Sequence, residues 1–152
     1  MNYSEIQGDL FSNLKEGAGY AHCIANDGRY GAGIAPVFID KIFNIRDKVL
    51  EALASNPWTG KGKTVMIKAS HDGVNVYTFN MVTKEMTWYK PTYSTVEEAL
   101  KDIKYLMLDE GIKELRLPRI GCGIDGLDWE VVSDMIKTMF EDTDITITVY
   151  VR

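Results

Sequence analysis

Residues 117–130, LPRIGCGIDGLDWE, decide the fold, because they join a strand-like apolar run to an amphipathic helical pattern through a glycine-rich loop. The loop holds three glycines, one cysteine and two aspartates. Glycines permit sharp turns and let a backbone approach a ligand closely. Such a loop can bind a phosphate group, carry a nucleophilic thiol or only turn the chain, and its residues alone leave these alternatives open.

Strand-like and helical patterns alternate on both sides of this loop. Apolar runs predict strands at residues 3–7, 19–24, 64–70, 74–81, 114–117 and 145–151. Helical periodicity predicts helices at residues 36–43, 45–55, 94–110 and 128–140. This order predicts an α/β fold with a mixed sheet covered by helices on both faces. Ligands bind such sheets at the carboxyl ends of the strands, where the loop lies.

Local signals mark several boundaries of these elements. The pair Asp72-Gly73 between two strand-like runs predicts a tight hairpin. The run Ser94-Thr95-Val96-Glu97 matches a capping box at the start of a helix that Gly111 ends. Asp128 is in the right place to cap the last helix.

Composition bounds the class of protein. The chain has 152 residues, 45% hydrophobic and 26% charged, so we expect one globular domain over residues 1–152. No secretory pattern or membrane-spanning run is visible, and with two cysteines we expect reduced thiols and a cytoplasmic monomer that contacts no membrane. The net charge of −5 argues against broad nucleic-acid binding. It leaves room for an anion site made of backbone amides.

Two further loops contain glycine patterns related to phosphate sites. Residues 57–64, PWTGKGKT, end like a P-loop, but proline replaces the first glycine and a strand-like run follows where the motif needs a helix. We interpret them as a basic surface loop. Residues 27–35, DGRYGAGIA, fail as a dinucleotide fingerprint. Gly31 and Gly33 nevertheless precede a predicted helix start, which suits an anion site as well as a plain turn.

The candidates for chemistry are few. Cys122 has no arginine following it in its loop, and a thiol hydrolase also needs a histidine base. His71 lies in the predicted hairpin, and His22 points to the opposite face of its strand from Cys23, so we interpret both cysteines as packing residues. No cluster of residues has metal-ligand spacing.

Three charged residues remain, each with an ordinary alternative. Asp9 ends the first strand, and Asp125 follows the glycine loop. Lys84 opens an unusually aromatic loop segment between a strand and the capped helix. Without further information Asp9 reads as a turn residue and Lys84 as a solvated lysine, whereas the position of Asp125 makes it a better candidate.

Four segments in order carry a family resemblance. They are GDLF at residues 8–11, AHCIANDGRYGAGIA at 21–35, TKEMTWYKPTY at 83–93, and LPRIGCGIDGLDWE followed by ITVYV at 147–151. Together they resemble the macrodomain family, in its terminal ADP-ribose protein glycohydrolase branch. The resemblance covers nearly the whole chain. It implies a three-layer α/β/α macrodomain with a mixed, mostly parallel central sheet, and an enzyme that needs neither a metal nor a cofactor.

The resemblance also implies which residues bind ADP-ribose. Asp9 and Leu10 match the positions that recognise adenine, and Tyr150 and Arg152 lie where the family closes over the adenosine. The remaining matched positions, in the first phosphate-side loop and in the loop around the diphosphate and distal ribose, are Ala25, Gly31, Gly33, Ile34, Arg119, Ile120, Gly121, Cys122, Gly123 and Ile124.

Lys84 matches the catalytic lysine of the family and Asp125 its catalytic aspartate. In the family mechanism the amine attacks the anomeric carbon of the distal ribose and expels a carboxylate such as glutamate. An amine attacks only when neutral, whereas an ionised aspartate nearby favours the ammonium form. We hypothesise that bound ligand displaces water and lets Asp125 accept the lysine proton.

Two positions depart from the family pattern. Ala25 stands where a serine often touches the distal ribose, so we expect one ligand hydrogen bond, worth about 1 kcal/mol, to be missing unless Asn26 replaces it. Glu85 replaces a frequently basic residue beside Lys84, which changes the local field.

The resemblance predicts removal of ADP-ribose from modified acidic side chains of proteins, together with deacylation of O-acyl-ADP-ribose. Three alternatives stay open: hydrolysis of ADP-ribosylated bases in DNA, dephosphorylation of ADP-ribose-1″-phosphate, and binding of ADP-ribose without turnover. The net charge disfavours DNA, because nothing obvious steers a strand to the cleft. A pure reader needs the loops but not the lysine–aspartate pair.

Overall fold

The computed structural model describes residues 1–29 and 33–152 and, at residue 124, the backbone alone. Alternating elements follow one another along the chain. The strands are β1 (Asn2–Gln7), β2 (Gly19–Ala25), β3 (Lys63–His71), β4 (Val74–Lys84), β5 (Glu114–Pro118) and β6 (Thr146–Val151). The helices are a π-helical turn (Val37–Ile42), α1 (Arg46–Ser55), α2 (Tyr93–Glu110), a 3₁₀ turn (Gly123–Asp125) and α3 (Trp129–Phe140).

The strands of the described residues form one six-stranded sheet in the order β1-β6-β5-β2-β4-β3. All neighbouring pairs are parallel except β3 and β4, which form an antiparallel hairpin at one edge. Asp72 and Gly73 both have positive φ (51° and 79°), as the predicted two-residue turn requires. The prediction of a mixed, mostly parallel sheet is confirmed.

Helices cover both faces of the sheet, which makes three layers. On one face α2 and α3 pack their apolar sides over β4, β5 and β6, with Ile103, Ile136 and Phe140 fully buried. On the other face the π-helical turn and α1 bury Phe38 and Val49. Buried apolar surface on both sides of the sheet stabilises this arrangement.

The observed helix caps match those predicted from the sequence, except at the start of α2. Gly111 ends α2 in a left-handed conformation, and the Asp128 carboxylate accepts a hydrogen bond from the Glu130 amide, as predicted. The capping box of α2 is formed by Thr92 and Thr95, not by Ser94 and Glu97. The prediction was wrong because Thr92 has the extended backbone of an N-cap and its hydroxyl accepts from the Thr95 amide, so the helix begins two residues earlier than the Ser94 cap would require.

A buried polar contact lies at the centre of the β2–β4 pair. His22 is fully buried, and its ring stacks on Phe38 with a centroid distance of 3.8 Å. The His22 Nε2 lies 2.7 Å from Asn80 Oδ1, and the Asn80 amide group donates to the Val65 carbonyl. Asn80 thus accepts from His22, which makes the imidazole a neutral Nε2–H tautomer. Burial lowers the pKa of His22 to about 4.

The parallel strands bring four loops and Arg152 to one edge of the sheet. The carboxyl ends of β1, β2, β4, β5 and β6 point the same way, so the segments that follow them converge there. Those segments begin near Gly8, Asn26, Glu85, Arg119 and Arg152.

Candidate functional site

A cleft with two connected lobes lies at this edge. One lobe, called the Lys84 lobe, has a volume of about 490 Å³ and lies beyond β2, β4 and β5. The other, called the Asp9 lobe, has a volume of about 600 Å³ and lies beyond β1 and β6. Both lobes are lined by Gly33, Ile34, Pro118 and Arg119, so these residues form the passage between them.

Lys84 and Asp125 meet in the Lys84 lobe. Lys84 is the last residue of β4, and Asp125 lies in the 3₁₀ turn that follows the glycine loop. The Lys84 Nζ donates to Asp125 Oδ1 at 3.0 Å, and the two side chains are only 14% and 22% exposed. A half-buried ion pair that faces a cavity is screened less by water than one on the open surface. The fold thus brings together two residues 41 positions apart.

The start of the glycine loop 27–35 is tied to the segment that follows Lys84. The Asn26 and Asp27 amides donate to the carbonyls of Lys84 and Glu85, at 2.9 Å and 3.1 Å. The Asp27 carboxylate accepts from the Thr87 amide at 2.9 Å and from its hydroxyl at 2.8 Å. Burial raises the pKa of Asp27, but the hydrogen bonds from Thr87 and Arg29 outweigh it and hold that pKa below its usual value. These contacts fix one wall of the lobe.

The loop after β5 forms the opposite wall. Gly121 has a φ of 74°, and its carbonyl accepts from the Leu127 amide at 2.9 Å, which closes the loop beneath Asp125. At its start Arg119 donates to Glu5 at 3.2 Å. The Trp129 indole donates to Glu5 at 3.1 Å, and the Arg119 guanidinium lies 5.8 Å from the centroid of the Trp129 ring. Arg119 is therefore held over the passage between the lobes.

Gly121→Ala is expected to weaken ADP-ribose binding about tenfold. A Cβ at this position would lie 2.9 Å from the Leu127 Cδ1, so the Leu127 side chain must move. The positive φ adds strain of roughly 1–2 kcal/mol for any other residue. Calorimetric titration with ADP-ribose checks this. Gly73→Ala is the control, because it has a similar φ of 79°, meets nothing within 4 Å and lies in the hairpin turn. Equal affinity in both variants would contradict the expectation.

The Asp9 lobe contains a second arrangement of polar groups. The Asp9 carboxylate accepts from the Phe11 amide and from Arg152 Nη2, both at 2.9 Å. Leu10 is buried beside it, and Tyr150 contributes to the wall. An ionised carboxylate with lone pairs remaining suits recognition of an amino group on a flat heterocycle.

The structure places most of the predicted site residues at the cleft. The Lys84 lobe is lined by Ala25, Ile120, Gly121, Cys122 and Gly123 in addition to Lys84 and Asp125. The Asp9 lobe is lined by Asp9, Leu10, Tyr150 and Arg152, and Gly33, Ile34 and Arg119 line both. Gly31 and the side chain of Ile124 lie outside the described residues. The Asn26 Oδ1 is buried without a hydrogen-bond partner among the described residues, and its replacement of the missing serine contact stays a prediction.

Neither thiol has the environment of a nucleophile. Burial, reinforced by the nearby charge of Asp125, raises the pKa of Cys23 to about 12. Burial likewise raises the pKa of Cys122, whose thiol donates to the Ile120 carbonyl at 3.5 Å. Both thiols thus stay protonated at neutral pH, and a thiol is a far weaker nucleophile than a thiolate. Over residues 1–29 and 33–152, no group of three histidine, cysteine or acidic residues could hold a metal ion.

Sequence patterns missed several residues of the cleft. Thr87 and Pro118 line it, and Asp27 positions Thr87. The Asp27-Gly28 turn after a strand was the available signal for Asp27. Nothing in the sequence marked Thr87, because its partner is 60 positions away. The helices of the described residues include none long and apolar enough to cross a membrane.

Comparison with solved structures identifies the class of fold. The macrodomain of DarG from Mycobacterium tuberculosis matches 97% of this chain and 96% of its own, with a TM-score of 0.84 and 20% identity. DarTG from Thermosipho africanus, solved in complex with ADP-ribose, matches 99% of this chain and 42% of its own, with a TM-score of 0.79 and 22% identity. The fold is that of a macrodomain.

Sequence comparison then identifies the branch. Human ADP-ribose glycohydrolase OARD1 is 40% identical over 145 residues, which cover 95% of this chain and 88% of that protein. No protein-family profile matches the chain. The chain belongs to the ADP-ribose glycohydrolase branch of the macrodomain family, and it is a hydrolase. The family and fold predicted from the sequence are confirmed.

Proposed function

We propose that the chain removes ADP-ribose from modified glutamate and aspartate side chains, and that it also cleaves the similar ester of O-acyl-ADP-ribose. The observation that carries the proposal is the contact of Lys84 Nζ with Asp125 Oδ1 at 3.0 Å in a half-buried lobe. A module that only binds ADP-ribose has no need of this pair. The relative OARD1, 40% identical to this chain, is named an ADP-ribose glycohydrolase, which supports hydrolysis of an ADP-ribosyl linkage in general.

The two lobes offer a place for each part of ADP-ribose. In our proposal adenine occupies the Asp9 lobe, where the Asp9 carboxylate accepts from its amino group. The diphosphate occupies the passage between Gly33 and Arg119, and the guanidinium compensates its charge. The distal ribose then extends into the Lys84 lobe with its anomeric carbon toward Nζ. DarTG, of similar fold, was solved with ADP-ribose bound.

Catalysis begins with a proton transfer along the observed hydrogen bond. When ligand displaces water from the Lys84 lobe, the ammonium proton of Lys84 moves to Asp125 and leaves a neutral amine. The amine lone pair forms a bond to the anomeric carbon. The bond from that carbon to the ester oxygen breaks with its electron pair, and Asp125 donates its proton to the departing carboxylate. Asp125 then takes up a proton from the new nitrogen.

Hydrolysis of the lysyl–sugar adduct restores the enzyme. A water molecule attacks the anomeric carbon as the carbon–nitrogen bond breaks. The proton held by Asp125 and one proton of the water return to the Lys84 nitrogen, and the hydroxyl group stays on the sugar. In the first half Asp125 accepts the lysine proton, passes it to the departing carboxylate and takes up a proton from the new nitrogen, and in the second half it acts as an acid, so it alternates between two protonation states.

The substrate class is tested by comparing three ADP-ribosyl compounds. The wild-type protein is incubated with a glutamate-modified protein, with ADP-ribosylated DNA and with ADP-ribose-1″-phosphate, and released ADP-ribose is measured. We expect release from the modified protein at least tenfold faster than from the other two. Binding of ADP-ribose by calorimetry without release from any of the three would show a reader and refute the proposal.

A further inference from the structure

The segment that joins β4 to α2, residues 85–92, bridges the two catalytic candidates. It begins directly after Lys84, and near its start Thr87 is held by the Asp27 carboxylate. Just beyond its end the Tyr93 hydroxyl accepts from the Asp128 amide at 3.0 Å, behind the turn that carries Asp125. The segment is thus fixed at both ends against the walls of the Lys84 lobe.

Two large aromatic side chains in this segment are exposed. Trp88 is 63% exposed and Tyr89 is 50% exposed, and their rings meet edge to face with a centroid distance of 5.9 Å. They directly follow Thr87, which lines the Lys84 lobe. Exposed tryptophan and tyrosine held by a fixed backbone offer a large contact area at low entropic cost, which is why these residues dominate binding surfaces.

We infer that Trp88 and Tyr89 form an acceptor rim that contacts the polypeptide carrying the ADP-ribosyl group. The inference rests on the proposed function. If ADP-ribose fills the two lobes with its anomeric carbon at Lys84, then the esterified side chain leaves the cleft there. The backbone of the acceptor protein must then lie outside the Lys84 lobe, beside the segment that begins at Lys84.

Local charge favours a polypeptide over a nucleic-acid strand. Around this segment the cations Arg29, Lys84 and Lys90 are offset by the carboxylates Asp27, Glu85, Asp125 and Asp128. A strand of DNA or RNA is held mainly by an excess of cationic groups along its phosphates. An aromatic pair without such an excess is typical of the contact surface of a protein partner.

The test compares two substrates that share the ester but differ in the acceptor. Trp88→Ala and Tyr89→Ala are assayed on a glutamate-modified protein and on O-acyl-ADP-ribose, whose small acyl group cannot reach the rim. We expect kcat/KM on the protein to fall roughly tenfold, the typical effect of truncating an aromatic contact, and kcat/KM on the small ester to stay within twofold. Tyr105→Ala is the control, since Tyr105 is 69% exposed on α2 and lies twelve residues, or roughly 18 Å, along that helix from Tyr93.

Each other outcome overturns the inference. An equal loss on both substrates would show that the aromatic pair only supports the site, and no loss on either would show that it contacts nothing. A loss confined to ADP-ribosylated single-stranded DNA would assign the rim to nucleic acid. If the wild-type protein releases ADP-ribose from neither the protein nor the small ester, the proposed function fails first and the inference with it.

Discussion

Lys84→Ala is expected to lower the rate of ADP-ribose release roughly a thousandfold or more, because the variant lacks the nucleophile of the proposed reaction. Asp125→Asn keeps the shape of the side chain but cannot accept a proton, so a comparable loss in kcat is expected. Single-turnover release from a glutamate-modified protein measures both effects. Because Lys84 and Asp125 act in the same proposed reaction, the double variant should lose little more than either single variant.

The affinity for ADP-ribose distinguishes a loss of catalysis from a loss of the folded structure. In the proposed pose Lys84 contacts only the distal ribose, and adenine and diphosphate are bound by other residues, so the ADP-ribose affinity of Lys84→Ala should stay within a few-fold of wild type. Lys101→Ala, an exposed lysine on α2, is the matched control and should be fully active. Full activity of Lys84→Ala or Asp125→Asn would remove that residue from the mechanism.

Acid is expected to destabilise the fold through His22. Its folded-state pKa of about 4 lies below the unfolded value near 6.5, so the unfolded chain takes up the proton first as the pH falls. The contribution of neutral His22 to the free energy of unfolding is fully present above pH 6.5. It is lost as the pH approaches 4, which lowers that free energy by roughly 3 kcal/mol. Urea unfolding of wild type and His22→Gln at pH 7 and pH 4 measures it.

The difference in unfolding free energy between wild type and His22→Gln isolates the effect of His22, because the carboxylates titrate in both proteins. His22→Gln loses the stacking on Phe38 and is less stable at pH 7, yet the gap should narrow by roughly 3 kcal/mol at pH 4. His71→Gln, at the hairpin turn, keeps His22 and should retain the acid sensitivity of wild type. A gap between wild type and His22→Gln that does not change with pH would contradict the account.

Much of the fold follows from periodic signals that are local in sequence. The predicted helix and strand boundaries lie within a few residues of the observed ones, because glycine, proline and capping side chains act on adjacent backbone groups. The hairpin at Asp72-Gly73 and the cap at Asp128 are such cases. The cap of α2 was misplaced because threonine and serine both cap helices, and only the structure shows that Thr92 has the extended backbone of the cap.

The site depends on contacts between distant residues, and these needed the family resemblance or the structure. Lys84 looked like a solvated lysine until its match to the family was recognised, and Asp125 was suggested only by its position after the glycines. The contact of Arg119 with Glu5 spans 114 positions, and that of Thr87 with Asp27 spans 60. No local pattern encodes such pairs, because they arise from the order of strands in the sheet. The roles of the site residues remain predictions.

The most direct test of the account is to trap the bond between Lys84 and the distal ribose. The wild-type protein is mixed with a glutamate-modified protein in the presence of borohydride, which reduces the open-chain imine form of the lysyl–sugar adduct, and is then digested and examined by mass spectrometry. We expect one ADP-ribosyl group on Lys84 of the wild-type protein, much less of it in Asp125→Ala, and none at residue 84 in Lys84→Ala. Release of ADP-ribose by the wild-type protein with no adduct on Lys84 under any of these conditions would contradict the covalent mechanism.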